Sequence, residues 1–102
     1  MNKLLSIIVP VYNEERLINK SLPLILSLNT NKEVIVVDDS STDNSRALLL
    51  DLQKIYPNTL KLIFHESNQG YGAALISGFK HASKEWVGYT DGDAQYDLDE
   101  LS

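Results

Sequence analysis

Cysteine is absent from the sequence, so neither a disulfide framework nor a thiolate metal site can be built from it, and the composition suits a reducing compartment. Positive charge is in short supply. Nine Lys and Arg stand against fourteen Asp and Glu, giving a net charge of −5 and a pI near 4.8. Affinity for nucleic acid comes largely from basic side chains neutralising phosphates, so DNA and RNA are not expected partners. Long apolar runs are also missing. The longest, around residues 4–11, falls far below the roughly 20 residues needed to span a bilayer, and the N-terminus carries no cleavable signal pattern. What remains is an ordinary globular composition, 43 % apolar and 23 % charged, for which a folded core and a cytoplasmic location are the default. The 102 residues make one domain at most, a short chain for an enzyme that must hold two substrates, and a fragment of a longer protein is expected.

Residues 4–11 (LLSIIVPV) form a β-branched run that reads as a strand buried on both faces. Leu17, Ile18, Leu22, Ile25 and Leu28 then recur at helical spacing, which predicts a helix over residues 14–28, kinked or restarted near Pro23. A second strand over 33–38 (EVIVVD) ends in a run of Asp, Ser and Thr suited to capping a helix. That helix is predicted over 43–56, with Leu48, Leu49, Leu52 and Ile55 inward and Pro57-Asn58 stopping it. A third strand covers 61–65. Asn68 is placed to cap a third helix over 70–82, in which Gly70, Ala74, Gly78 and Ala82 repeat every four residues and allow close packing. A last strand over 86–90 runs into Asp91-Gly92-Asp93-Ala94-Gln95. Alternating strands and helices predict a three-layer α/β/α domain over residues 1–102 with a mainly parallel sheet.

In such a sheet the ligand crevice lies beyond the carboxyl ends of the strands. The residues expected there are Tyr12, Asn13 and Glu14 after the first strand, Asp38 and Asp39 after the second, and Asp91, Asp93 and Gln95 after the fourth. Five carboxylates on one edge repel one another unless a cation or hydrogen-bond donors share the site. Oxygen ligands select Mg²⁺ or Mn²⁺, and Mg²⁺ is usually held by one or two carboxylates together with substrate phosphates, which points to a substrate carrying a diphosphate. Simpler readings exist for each cluster alone: the acidic run from Asp38 as a helix N-terminus, and Asp91-Gly92-Asp93 as a turn with Gly92 at positive φ. Their convergence on one edge favours a functional site. His65 and His81 have no partner at metal-ligand spacing and are expected at the surface or at a strand end.

Four segments, SIIVPVYNEE (6–15), VIVVDDSSTDNS (34–45), NQGYGAALISGF (68–79) and YTDGDAQYD (89–97), together resemble glycosyltransferase family 2, of the nucleotide-diphospho-sugar transferase (GT-A) fold. The stretch from Asp93 to Asp97 is most similar to the branch that transfers sugars to polyprenyl phosphates. The resemblance implies that Pro10, Tyr12 and Glu14 line the base and ribose pocket, that Asp38 hydrogen-bonds the nucleoside, and that Asp39 borders the same pocket. Asp91 and Asp93 match the family's D-x-D pair. Asp93 would ligate Mg²⁺ or Mn²⁺ on the diphosphate, Asp91 would bind the nucleotide sugar or the metal, and Gln95 would stand near the sugar or acceptor. Asn68 and Gly70 could approach phosphate. The implied partners are a UDP- or GDP-linked sugar and an acceptor that is a polyprenyl phosphate or a glycan, with inversion at the anomeric carbon. The family places its general base and its phosphate-binding basic residues downstream of the D-x-D. The chain is therefore expected to be truncated after that motif, to lack turnover alone and, with a sheet face uncovered, to self-associate. A full-length parent could work at the inner face of the membrane.

Rival readings fit less well. A dinucleotide-binding domain needs G-x-G-x-x-G after the first strand, whereas Gly70-Tyr71-Gly72 follows the third and position 75 is Leu75. A response-regulator receiver has its acidic pair after the first strand and a phosphoacceptor Asp after the third, where this chain has His65-Glu66. A phosphatase of the haloacid-dehalogenase type would use Asp91 and Asp93 but carry Thr or Val in place of Gln95. A catalytically silent binding or assembly module is the remaining alternative.

Overall fold

A computed structural model of the protein describes residues 5–28 and 31–82, together with the backbone of a strand at 86–89. Four strands, β1 (Leu5–Val11), β2 (Lys32–Asp38), β3 (Leu60–Phe64) and β4 (Trp86–Tyr89), form one parallel sheet in the order β3-β2-β1-β4. The chain adds β2 and β3 to one side of β1 and then crosses back to lay β4 on the other, so the winding direction reverses beside β1. Gaps of this kind are where open α/β sheets bind ligands.

Period-2 alternation along the strands divides the core in two. Leu5, Ile7, Val9, Val11, Val34, Val36 and Leu60 face one way, against Leu17, Ile18, Leu22, Ile25, Leu26 and Leu49 of the helices that follow β1 and β2. Ile35 and Val37 face the other way, against Ala74 of the helix that follows β3. Helices thus cover both faces, giving the α/β/α layering expected from the order of elements. β1 is buried at all seven positions, as its unbroken apolar run predicts.

The helices are α1 (Leu22–Ser27), α2 (Ser45–Ile55) and α3 (Tyr71–His81). A π-helical turn, Leu17–Ser21, leads into α1, and Pro23 falls in the first turn of α1, where its missing N–H is no loss. The helix expected to kink or restart near Pro23 instead runs unbroken over residues 15–27, and the irregularity before Pro23 is that π-helical turn. Two apolar expectations are not met either. Leu28 follows the end of α1 in extended backbone and is 41 % exposed, and Ile55 is 67 % exposed. At about 3.6 residues per turn the buried arc of α2 runs through Ser45, Leu49, Leu52 and Tyr56, and Ile55 falls on its flank in the last turn. Tyr56 takes the core position instead.

The small-residue ridge of α3 is a packing device. Gly78 is buried against Ile8 of β1: a Cβ there would overlap Ile8 Cγ2 and lie 3.1 and 3.2 Å from Ile8 Cγ1 and Cδ1. Toward the amino ends of the central strands, buried Glu33 accepts hydrogen bonds from the Ser6 hydroxyl at 2.5 Å and from the Lys61 ammonium. Among the described residues no helix is long and apolar enough to cross a membrane.

Candidate functional site

The loops leaving β1 and β2 are riveted together by Asn13. Its backbone takes the left-handed conformation (φ 52°), which Asn tolerates better than most residues. Its side-chain oxygen accepts from the N–H groups of Thr42 (2.8 Å) and Asp43 (3.3 Å), and its amide nitrogen donates to Thr42 Oγ1 at 3.2 Å. The Asn13 N–H donates to Ser41 Oγ at 2.9 Å, and the Glu14 N–H to Ser45 Oγ at 3.1 Å. The position of Glu14 is thus fixed by the loop after β2. Asp43 accepts from the Ser45 N–H at 2.9 Å. Burial pushes the Asp43 carboxyl up, but hydrogen bonds from the hydroxyl and N–H of Ser45, together with those from Glu15 and its own N–H, hold it below the ordinary value.

Asp38 and Asp39 serve different neighbours. Asp38, 1 % exposed at the end of β2, accepts from the Ser41 hydroxyl and from the Ser41 N–H at 3.2 Å, which shapes the turn containing Ser40 at φ 65°. Asp39, 4 % exposed, reaches across to the segment after β3. Its Oδ1 accepts from the Gln69 N–H at 2.9 Å and pairs with His65 Nδ1 at 2.8 Å, and its Oδ2 accepts from the Gly70 N–H at 2.7 Å. Burial pushes this carboxyl up, yet the bonds from Gln69, His65 and Gly70 together bring it below its ordinary 3.8.

His65 does lie just beyond a strand end, but it is buried rather than superficial, because Asp39 and Ser77 Oγ (2.8 Å from Nε2) take up its two ring nitrogens. His81 is at the surface, with Nδ1 2.8 Å from the Ser77 carbonyl oxygen. Asn68 does not cap α3. Gly70 occupies the N-cap position at φ 97°, a conformation that suits glycine, and the carboxylate of Asp39 binds the backbone there in place of a local cap.

These contacts enclose a cleft of about 290 Å³ beyond the carboxyl end of β1. Pro10, Val11, Tyr12 and Glu14 form one wall, Asp39 the floor, and Asn68, Gly70, Tyr71 and Ala74 the wall opposite. Of the residues singled out in the sequence, Pro10, Tyr12, Glu14, Asp39, Asn68 and Gly70 come together here, and Asp38 lies outside the lining with its carboxylate turned onto Ser41. Asp91, Asp93 and Gln95 lie outside the described residues. Among the described residues no group of three or more His, Asp or Glu side chains is placed to hold a metal ion. Val11, Tyr71 and Ala74 line the cleft, and Asn13 and His65 support it, without a sequence pattern that assigns them those places. The helical start after Asn68-Gln69-Gly70 is the nearest thing to a signal for Tyr71 and Ala74.

The profile of glycosyl transferase family 2 matches residues 6–102. An uncharacterized glycosyltransferase of Nostoc sp. is 38 % identical over 87 % of this chain and 28 % of its own length. The undecaprenyl-phosphate 4-deoxy-4-formamido-L-arabinose transferase of Aeromonas hydrophila is 36 % identical over 97 % of this chain and 32 % of its own. Among solved structures, a mannosyltransferase from Pyrobaculum calidifontis in complex with GDP-Man and Mn²⁺ superposes with a TM-score of 0.83 at 32 % identity, over 91 % of this chain and 28 % of that one. TarS 1-349 of S. aureus in complex with UDP-GlcNAc superposes at 0.74 with 34 % identity, over 91 % and 27 %. The chain thus spans less than a third of the length of these relatives. Its layered parallel sheet is that of the GT-A fold, and with a family match that runs through both acidic motifs, the chain belongs to glycosyl transferase family 2.

Proposed function

We propose that this chain supplies the donor subsite of a glycosyltransferase that takes a sugar from a UDP- or GDP-linked donor. The observation that carries the reading is the cleft at the carboxyl end of β1, walled by Pro10, Tyr12 and Glu14 on one side and by Asn68, Gly70 and Tyr71 on the other. Pro10 and the half-exposed ring of Tyr12 offer an apolar surface to a base, and Glu14 an acceptor for ribose hydroxyls. Asp39 borders the same pocket. Asp38 keeps acceptor capacity beyond its bonds to Ser41 and would hydrogen-bond the nucleoside. The Gly70 end of α3 is the natural neighbour of a phosphate.

Asp91 and Asp93 are the metal ligands in this reading, with Gln95 on the sugar side. An all-oxygen pair suits Mg²⁺ or Mn²⁺, and the mannosyltransferase that superposes on this chain holds Mn²⁺ with its GDP-Man. Bound there, the cation supplies Lewis-acid stabilisation of the departing nucleoside diphosphate. The chain's own contribution is to hold the base and ribose so that the anomeric carbon is open to attack from the face opposite the diphosphate, which inverts it. The similarity to an undecaprenyl-phosphate transferase supports a polyprenyl phosphate as acceptor and work at the inner face of the membrane. Such an acceptor is already an anion and needs no general base, whereas a glycan hydroxyl needs one.

Calorimetric titration with UDP, GDP and their sugar conjugates, with and without Mn²⁺, tests this on wild type and on Asp93→Ala. Metal-dependent binding of one diphosphate, lost in the variant, is the expected result. A folded chain that binds none of them, and a longer protein containing it that also binds none, would overturn the donor reading.

A further inference from the structure

Beneath the cleft, three side chains from three elements form a line: Ser77 Oγ lies 2.8 Å from His65 Nε2, and His65 Nδ1 lies 2.8 Å from Asp39 Oδ1. The order of partners is that of a hydrolytic triad, but the placement is not. Ser77 stands in the middle of α3, and neither it nor His65 lines the cleft, whereas Asp39 does. The useful end of the line is therefore the carboxylate. Its remaining bonds go to the N–H groups of Gln69 and Gly70, which open the wall carrying Asn68, Gly70 and Tyr71.

Ala74 anchors the far end of that wall against Ile35 and Val37, and its N–H donates to the Gly70 carbonyl at 3.1 Å. Glycine at φ 97° pays no steric penalty, and by the same token it meets no steric barrier to leaving, so at the near end the bonds to Asp39 orient the Gln69 and Gly70 N–H groups. Open space surrounds the position a Cβ would take at Gly70, so packing on that side does not hold the residue either. Asp39 in turn can rotate about its side-chain bonds unless its donors converge. Two of them belong to the wall itself, and His65 is the one that is independently anchored, through β3 and Ser77.

We propose that His65 is a positioning residue for the cleft: it donates from Nδ1 to Asp39, accepts the Ser77 hydroxyl at Nε2, and thereby holds the carboxylate where it pins Gln69 and Gly70. The carboxylate partner sets that tautomer. The consequence for a nucleoside diphosphate rests on the donor reading above, but the effect on the wall does not.

Two readouts on the full chain test the relay: amide hydrogen exchange at Gln69 and Gly70, with Leu49 in α2 as reference, and titration with UDP and GDP. His65→Ala is expected to speed exchange at Gln69 and Gly70 by about tenfold or more while Leu49 is unchanged, the size set by loss of a hydrogen bond to a charged group. Diphosphate affinity is expected to fall by a similar factor. His65→Asn retains a donor near the Nδ1 position and should restore most of both, whereas His65→Gln places its amide toward Ser77 and should not. Unchanged exchange at Gln69 and Gly70 in His65→Ala, an increase shared equally by Leu49, or equal behaviour of the Asn and Gln variants would overturn the proposal. If His65→Ala does not fold, the contrast between Asn and Gln decides. Because exchange needs no ligand, the relay is judged on its amides even where the wild-type chain binds no diphosphate, and the donor reading is then decided by titration of the longer protein.

Discussion

Beneath α1 and α2 the strands present Leu5, Ile7, Val9, Val11, Val34 and Val36 to a continuous apolar layer, whereas beneath α3 the same sheet presents Ser6, Glu33, Lys61 and His65 among Ile8, Ile35 and Val37. Apolar burial is non-directional and scales with area, so the first face contributes stability without dictating the angle of any one group. Hydrogen bonds among buried polar groups are directional and costly to leave unmade, so the second face contributes geometry. The candidate site draws on the second. Asp39, the floor of the cleft, is held by residues of the α3 side.

The largest expected effect tests whether the two faces are separable. Leu49 is fully buried in the apolar layer, and Leu49→Ala should cost about 2–5 kcal/mol in denaturant unfolding, from lost transfer energy and the cavity left behind. In the fraction that stays folded, amide signals of Gln69 and Gly70 should keep their wild-type positions. If they shift as much as those of α2, the division of labour is wrong.

Gly78→Ala attacks the other face. Alanine gains up to about 1 kcal/mol of helix propensity over glycine, but overpacking a close contact costs about 1–3 kcal/mol. The clash should win, because the obstructing atoms belong to Ile8, itself fully buried in a central strand. Net destabilisation of about 1–2 kcal/mol with an unchanged denaturant slope is expected, together with displaced amide signals along α3. A stabilised variant would mean that α3 can move away from β1 freely, and that the cleft wall it carries is not rigid.

Acid titration sharpens the comparison further. The folded-state pKa of Asp39 lies below the ordinary 3.8, so its contribution to stability is present above that value and is lost as pH falls through the folded pKa. Asp39→Asn removes this contribution while weakening the hold on Gln69 and Gly70. The stability gap between wild type and variant should therefore narrow as pH falls below 3.8. Asp43 titrates in the same direction in both proteins and cancels from the difference. A gap that widens in acid would mean that the hydrogen bonds to Asp39 do not favour its charged form.

The strands were legible because a β-branched run buried on both faces has few other uses: residues 4–11, 33–38 and 61–65 were expected, and Leu5–Val11, Lys32–Asp38 and Leu60–Phe64 are found. The positions that face the cleft from β1 and β2 were legible for a related reason. Tyr12, Glu14 and Asp39 follow directly from where a strand stops, and a parallel sheet puts every strand end of that kind on one edge. The supports were not legible. His65 is 26 residues from Asp39 and 12 from Ser77, and those pairings exist only once the register of β3 on β2 and the height of α3 over the sheet are fixed. Glu33 and Lys61 show the same limit, since each looks like a solvated charge until the sheet places one diagonally across from the other.

Ile55 gives the smallest effect and the cleanest check on that reasoning. Its helical spacing suggests an inward side chain, yet at about 100° per residue Ile55 stands roughly 90° from the centre of the buried arc through Ser45, Leu49 and Leu52, whereas Tyr56 falls near that centre. Exposed as it is, Ile55→Gln should change stability by no more than about 0.5 kcal/mol, whereas Tyr56→Ala, which strips a partly buried ring from the apolar layer, should cost more than about 1 kcal/mol. Parallel denaturant curves for the two variants decide it. A large loss at Ile55 would place that side chain in the core after all and rotate the buried arc of α2 away from Tyr56.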